Sequence, residues 1–296
     1  MKRTMLFGAA AMAVMSYLTA IGKSEAAESV RLCTGSASAV YYDAGQSIKQ
    51  MAGSTVPVEV IETTGTIDNL NATLETGQCN AMIGQPDGPV YLSRQSPAGV
   101  KKLRQIAGLH REYLHVLCNR NSGVKDLKDL ADAKGKLAIG EPNSGAWLIW
   151  QNLVKVDKEL ESIPVSNESG IMALSAVSAG TDTACMLVPA GLNTGTLKEA
   201  DATFADSLML VSASVDNADD VLGIDGKPIY TTQDIPAKTY PNIQGGGWFS
   251  SGAKSTLSWN AAVYINTEAF TDAKQLQTFV TAVNRAAIGI KAEYGK

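Results

Sequence analysis

The chain has 296 residues, of which 45% are hydrophobic and 18% are charged, with 4 Cys and 2 His. This composition is globular and excludes collagen-like, disulfide-dense and intrinsically disordered proteins. There are 25 Lys and Arg against 29 Asp and Glu, giving a net charge of −4. The chain therefore lacks the basic excess of nucleic-acid-binding proteins. Its length favours two domains, and with two histidines we expect no metal site.

The first residues have the pattern of an export signal. Residues 1–3 are Met-Lys-Arg, and residues 4–22 form an uncharged, mostly apolar run. Small residues at Ser24 and Ala26 suit a signal-peptidase site, so we predict a signal peptide over residues 1–26, cleaved near Ala26 or Ala27, and a periplasmic protein. The alternative is an N-terminal membrane anchor, for which the run is barely long enough.

The four cysteines lie in or beside apolar runs that are typical of strands. Cys33, Cys79, Cys118 and Cys185 have none of the close spacings of a zinc site. An even number of cysteines in an oxidising compartment permits two disulfides. Free cysteine also behaves as a small buried hydrophobe, and the apolar surroundings slightly favour buried thiols over disulfides.

Strand and helix patterns alternate in the first part of the mature chain. Apolar runs at 30–33, 56–61 and 81–84 predict strands, and residues 40–51 and 67–76 have helical spacing. Polar, Gly-containing loops follow the strands, at residues 34–38, 63–66 and 85–88. Since ligands of parallel α/β sheets bind at the carboxyl ends of the strands, we expect these loops to converge on one site.

The same pattern recurs later in the chain. Strands are predicted at 113–118, 135–140 and 183–188, with helices at 124–130 and 146–156, and the pattern is less regular from Ser212 onward. We predict an α/β fold of two lobes, each a mostly parallel sheet flanked by helices, with a hinge and an interlobe cleft. Lobe I comprises residues 27–112 and roughly 225–296, and lobe II comprises residues 113–224.

Several motifs resemble those of one receptor family. In the first lobe they are Thr34-Gly35-Ser36 with Tyr41-Tyr42, then Glu62-Thr-Thr-Gly-Thr66, then 77–85, Gly-Gln-Cys-Asn-Ala-Met-Ile-Gly-Gln. In the second lobe they are 122–130, 135–140 and Pro142-Asn-Ser-Gly145, followed by Ile235-Pro-Ala-Lys-Thr-Tyr-Pro241. Their order and spacing are similar to those of the TAXI family of periplasmic solute receptors, which serve TRAP transporters.

The loops at the strand ends supply the candidate ligand-binding residues. Ser36 to Ser38 and Asn143 to Gly145 precede predicted helices, where free backbone N–H groups and the helix dipole favour an anion. Simple helix capping by Ser38 and Ser144 is the alternative. The full predicted set is Ser36, Ala37, Ser38, Tyr42, Thr64, Gly65, Gln85, Asp87, Asn143, Ser144, Gly145, Ala146, Trp147 and Pro189.

Other residues have more than one interpretation. Tyr42 and Trp147 have two interpretations: they form an aromatic wall of the cleft, or they pack in the core. Asp87 and Glu141 lie on loops at predicted strand ends, where they could meet a ligand ammonium or be exposed acids. Arg111 could pair with a ligand carboxylate or form a hinge salt bridge. We expect structural roles for His110 and His115.

The resemblance implies capture of a small solute, an organic acid or acidic amino acid, and its delivery to a TRAP-type inner-membrane permease. We expect a monomer that is not an enzyme, binds no cofactor and contacts no nucleic acid. One alternative is a periplasmic sensor or accessory protein without transport. Another is a serine hydrolase that uses Ser251 and Lys254, which match S-x-x-K without the K-T-G that accompanies it.

Overall fold

Strands and helices alternate through the described part of the protein, which is residues 28–245 and 252–295 of a computed structural model. The predicted signal peptide, its cleavage site near Ala26 or Ala27, and Ser251 of the S-x-x-K motif lie outside the described residues. Among the described residues, no helix combines the length and the apolar character needed to cross a bilayer.

The first lobe begins with the strand–helix units that the sequence predicts. Its helices pack apolar faces on the sheet around Leu32, Ile48 and Ile83, and the C-terminal helix adds Phe279 and Val283 to the same core. Its elements are β1 (Val30–Cys33), α1 (Val40–Ala52), β2 (Val58–Ile61), α2 (Thr66–Leu74), β3 (Ala81–Gly84), α3 (Asp87–Gln95), α4 (Pro97–Val100) and, from the other end of the chain, α8 (Ala273–Tyr294).

The second lobe repeats this architecture. Its core surrounds Leu137, Ile149 and Leu187. Its elements are β5 (Lys136–Ala138), α5 (Gly145–Val156), β6 (Val165–Ser166), α6 (Gly170–Ala179), β7 (Thr183–Ala190), α7 (Gly195–Thr203), β8 (Leu208–Val211) and β9 (Thr231–Ile235). The helix predicted at 124–130 is a 3₁₀ helix, Leu127–Ala131, whose first turn is capped by Asp126.

Two long antiparallel strands join the lobes. They are β4 (Leu103–Asn119) and β10 (Lys254–Asn266). Leu109 and Ala261 belong to the core of the first lobe, whereas Leu114 and Leu257 belong to that of the second. The chain therefore crosses between lobes at residues 110–112 of β4 and 259–261 of β10, which we call the crossing segment. The strand register shifts there, between Asn260 and Ala262.

The sheet is continuous across both lobes, in the order β2-β1-β3-β10-β4-β7-β5-β6. Strands β1 to β3 pair in parallel, as do β5 to β7, and β10 and β4 are antiparallel to their neighbours. This confirms the predicted α/β class with mostly parallel lobes. The return to the first lobe was predicted near residue 225, but Tyr230, Ile235 and Leu257 pack in the second lobe, because β9 pairs with the first half of β10.

All four cysteines are paired, so the preference for buried thiols was wrong. Cys33 bonds to Cys79 and Cys118 bonds to Cys185, with Cα–Cα distances of 5.9 and 4.0 Å. All four are buried, as their apolar surroundings predict. Cys118 and Cys185 face each other directly across β4 and β7. That cross-strand register is a tertiary property, and no local pattern contains it.

Candidate functional site

A cavity of about 480 Å³ lies between the lobes, against the crossing segment. The first lobe contributes residues 38–41, 65–66 and 85, the second contributes 145, 188–191 and 194–196, and the crossing segment contributes His110 and Glu112. A second polar groove, of about 570 Å³, lies against Asn119, Lys134 and Asp182. It involves the second lobe alone, whereas the interlobe cavity draws on both lobes.

Four helices begin at the wall of the interlobe cavity. The N-cap residues of α1, α2 and α7 are Ala39, Gly65 and Thr194, and none of them caps its helix with a side chain. Gly145 is the first residue of α5. The first turn of a helix has unpaired N–H groups and the positive end of the dipole. Both lobes therefore present groups that stabilise an anion to the same cavity.

The Glu112 carboxylate is the acidic group of the cavity. Glu112 is 7% exposed, and its Oε2 accepts hydrogen bonds from the Tyr41 hydroxyl at 3.1 Å and from Trp259 Nε1 at 2.7 Å. Burial, followed by the nearby Glu112 carboxylate, raises the pKa of Tyr41 well above its usual value. Tyr41 is therefore a neutral hydrogen-bond donor that holds Glu112 in place.

Two further polar side chains of the cavity have atoms without a hydrogen-bond partner among the residues that the structure describes. His110 is 1% exposed, and among the described residues neither Nδ1 nor Nε2 makes a hydrogen bond. Its Nε2 lies 3.5 Å from Glu112 Oε1. The buried Oγ1 of Thr194 is also without a partner in the described part of the chain. Buried polar atoms are nearly always hydrogen-bonded in native proteins, so these groups suit a bound molecule.

The two lobes are in close approach beside this cavity. A Cβ atom on Gly145 would lie 2.5 Å from Oε1 of Gln85, which belongs to the first lobe. A side chain at position 145 would displace the amide or push the lobes apart. The absence of a side chain lets the start of α5 approach the first lobe closely.

The predicted residues divide between the cavity and its surroundings. Five line the cavity: Ser38, Gly65, Gln85, Gly145 and Pro189. The others are outside its lining: Ser36, Ala37, Tyr42, Thr64, Asp87, Asn143, Ser144, Ala146 and Trp147.

Several of those outside the lining have structural contacts. Ser144 accepts a hydrogen bond from the Trp147 N–H and so caps α5, and Thr64 donates to Asp68 at the start of α2. The Trp147 ring packs edge-on against Tyr91, with ring centroids 5.3 Å apart. These contacts match the capping and core interpretations of Ser144 and Trp147.

Asp87 is fully buried, contrary to the exposed loop acid that its Pro-Asp-Gly context indicates. It opens α3, where its Oδ1 accepts hydrogen bonds from the Tyr230 hydroxyl and from Asn152 Nδ2. Burial raises its pKa to about 6, and these two hydrogen bonds oppose the rise. Asn152 lies on α5, so Asp87 links α3 to the second lobe.

Sequence reasoning missed the residues of the crossing segment. The sequence predicts a structural role for His110 and does not single out Glu112, because neither lies in a loop at a strand end. Arg111, the residue between them, is exposed and does not line the cavity. His115 is structural as expected, since it interacts with the Val188 carbonyl and the Tyr240 hydroxyl. The signal for His110 and Glu112 was their alternation along one strand face.

Comparisons with known proteins place the chain in a family. No curated protein sequence matches it. Among solved structures, a TRAP periplasmic solute-binding protein from Ochrobactrum anthropi is 10% identical with a TM-score of 0.49, over 90% of this chain and 77% of the other. A nutrient-binding protein from Burkholderia cenocepacia bound to methionine is 15% identical with a TM-score of 0.47, over 90% and 96%.

A third similar structure is the ligand-binding component of an ABC-type import system from Staphylococcus aureus, with zinc bound. It is 12% identical with a TM-score of 0.48, over 88% of this chain and 73% of the other. At these identities and TM-scores, the three structures indicate no ligand or partner for this chain. The NMT1-like family matches residues 32–246, which is more than half of the sequence, and the chain belongs to that family.

Proposed function

We propose that this protein is an extracytoplasmic solute-binding protein that holds a small organic acid or amino acid between its two lobes. The observation that carries this proposal is the cavity against the crossing segment, where helices of both lobes begin and the buried His110 ring has unpartnered nitrogens. A carboxylate of the solute faces the backbone N–H groups of these helix ends. None of the described residues that line the cavity is Lys or Arg, so backbone groups supply the anion-binding contacts.

Binding favours the closed arrangement of the lobes. A solute that touches both lobes interacts with them simultaneously only when they are close, so it shifts the population toward closure. The two strands of the crossing segment are the hinge, because they are the long strands whose two ends lie in different cores. The bulge between Asn260 and Ala262 gives this hinge local freedom, since it interrupts the regular ladder.

The cellular setting follows from the resemblance to TAXI receptors and the export signal in residues 1–26. We propose a monomeric periplasmic protein that delivers its solute to a TRAP-type permease and catalyses no reaction. A sensor or accessory protein that binds the same solute without transport is the second candidate. Loss of solute uptake on deletion of the gene distinguishes the receptor from the sensor.

Ligand-dependent stabilisation tests the binding function. Purified protein is screened by thermal unfolding and tryptophan fluorescence against carboxylates and the proteinogenic amino acids. A solute that binds only the folded protein stabilises it by about 2.7 kcal/mol at 100 times its dissociation constant. We therefore expect a clear rise in the unfolding temperature with at least one compound.

Two matched glycine variants locate the binding site. Gly195 lines the cavity and Gly289 lies on α8, and both have open space where a Cβ would be built. Gly195→Phe fills the cavity and should abolish the stabilisation, whereas Gly289→Phe should retain it. The proposal is refuted if no compound stabilises the protein, or if Gly195→Phe binds as well as the unchanged protein.

A further inference from the structure

The crossing segment gives the cavity an acidic side that differs from its helix N-termini. Among the described residues that line the cavity, Glu112 is the one acid, and none is Lys or Arg. The carboxylate faces the cavity from the joint between the lobes, and the helix N-termini lie on the lobes themselves. A solute that spans the cavity therefore meets helix N-termini that favour an anion and a carboxylate that favours a cation.

Only one oxygen of the Glu112 carboxylate, Oε2, accepts hydrogen bonds from side chains of the described residues. Tyr41 and Trp259 both donate to Oε2, and both are neutral. Oε1 lies 3.5 Å from His110 Nε2, which makes no hydrogen bond with any described residue. The carboxylate thus keeps Oε1 as an acceptor atom without a hydrogen bond from the described residues, in a site largely shielded from water. A second carboxylate placed there would be repelled, and a protonated amine would form a charge-assisted hydrogen bond.

His110 adds two ring nitrogens beside the Glu112 carboxylate. Its ring is fixed by edge contacts with Tyr41 and by a tilted contact with Tyr294, at centroid distances of 5.9 and 5.8 Å. A neutral imidazole has one donor and one acceptor nitrogen. The ring can accept a hydrogen bond from an amine or donate one to a neighbouring oxygen of the solute. Its two unpartnered nitrogens are then satisfied when the solute binds.

We infer that Glu112 and His110 form an amine subsite, so that the solute is a zwitterion whose carboxylate faces the helix N-termini and whose ammonium group faces Glu112. This inference rests on the proposed solute-binding function and narrows it. Glu112 selects for the protonated nitrogen and against dicarboxylates that lack one. Hydroxy and oxo acids bind more weakly, because they bring no positive charge to the carboxylate.

The test compares compounds that differ only at that nitrogen. The proteinogenic L-amino acids are titrated by calorimetry, each beside the 2-hydroxy and 2-oxo acids with the same carbon skeleton, with succinate and glutarate as dicarboxylates. For the amino acid that binds, we expect the amine form to bind at least about tenfold more tightly than either analogue, as a charge-assisted hydrogen bond predicts.

Two variants assign this preference to Glu112. Glu112→Gln keeps the shape and an oxygen for Tyr41 and Trp259, and removes the charge, so the preference for the amine should fall to a few-fold or less. Glu199→Gln removes the same charge from an exposed position on α7 and should leave the preference intact. The unliganded unfolding temperature of each variant confirms that it is folded.

The outcomes separate this inference from the function on which it rests. Equal or tighter binding of the hydroxy or oxo acid to the unchanged protein overturns the amine subsite and leaves solute binding intact. Full retention of the amine preference in Glu112→Gln overturns the role of Glu112. If no compound in any series binds, the proposed function and the amine subsite are both overturned.

Discussion

Asp87 should make the stability of the protein depend on pH in a direction unusual for an aspartate. Its carboxyl group is fully buried, with Oδ1 hydrogen-bonded to Tyr230 and Asn152 and Oδ2 without a partner among the described residues. Arg94 lies nearby, but its guanidinium bonds to Asn152. Because burial disfavours the charged form, the pKa of Asp87 is raised from 3.8 to about 6.

The sign and size of the effect follow from linkage. The folded protein holds the Asp87 proton more tightly than the unfolded chain, so between about pH 4 and pH 6 it binds more protons. The stabilisation due to protonated Asp87 is complete below pH 3.8 and is lost as the pH rises through about 6. At 1.36 kcal/mol for each tenfold change in proton affinity, the loss is about 3 kcal/mol.

Asp87→Asn removes this titration and keeps the Oδ1 acceptor. The new amide N–H has no obvious partner and costs roughly 1–3 kcal/mol at every pH, so the pH dependence is the test and the absolute stability is not. The free energy of unfolding is measured in urea for both proteins from pH 3.5 to pH 7.5. Stability of the variant relative to the unchanged protein should rise by about 3 kcal/mol across this range.

An exposed acid provides the control. Asp219→Asn alters a surface carboxyl group and should give a curve parallel to that of the unchanged protein. If the curve of Asp87→Asn is also parallel, Asp87 does not titrate between pH 4 and pH 6 and the reasoning from its burial is refuted.

Two further predictions concern packing and the disulfides. A Cβ on Gly88 would lie 2.4 Å from Thr66 Cγ2, so Gly88→Ala should lower the free energy of unfolding, measured in urea, by about 1–3 kcal/mol. Gly289→Ala is the control, because a Cβ at that position would lie in open space. Equal stability of the two variants would contradict the tight packing at Gly88. Replacing both Cys118 and Cys185 by Ala opens a link between residues 67 apart and should cost about 2–4 kcal/mol. An unchanged urea midpoint under oxidising conditions, relative to the disulfide-bonded protein, would contradict this.

The first lobe could be predicted from the sequence because its elements carry their own local pattern. The strands around Leu32 and Ile83 are short apolar runs, and α1 and α2 have helical spacing between Gly-rich loops. Each strand–helix unit occupies a short stretch of chain, so local periodicity is sufficient to predict its elements.

Strand β10 was missed for a physical reason. Thr256 and Ser258 are polar but fully buried, because their hydroxyls bond to the Leu114 carbonyl and to Thr231 in the neighbouring strands. The alternation of apolar and polar residues by which a strand is predicted is therefore broken at positions that face the interior. Only the pairing with β4 and β9 makes these residues suitable for a core, and that pairing is not visible in the local sequence.

The candidate site shows the same limit in another form. The sequence predicts the anion-binding helix starts at Ser36 to Ser38 and Asn143 to Gly145. The N-cap residues that line the cavity are Ala39, Gly65 and Thr194, of which the predicted set contains only Gly65. The groups that we propose for the anion there are backbone N–H groups, which are the same for every residue type except proline. Residue identity thus carries little information about the anion side of the cavity. It carries more about Glu112, whose side chain is the one carboxylate among the described residues that line the cavity.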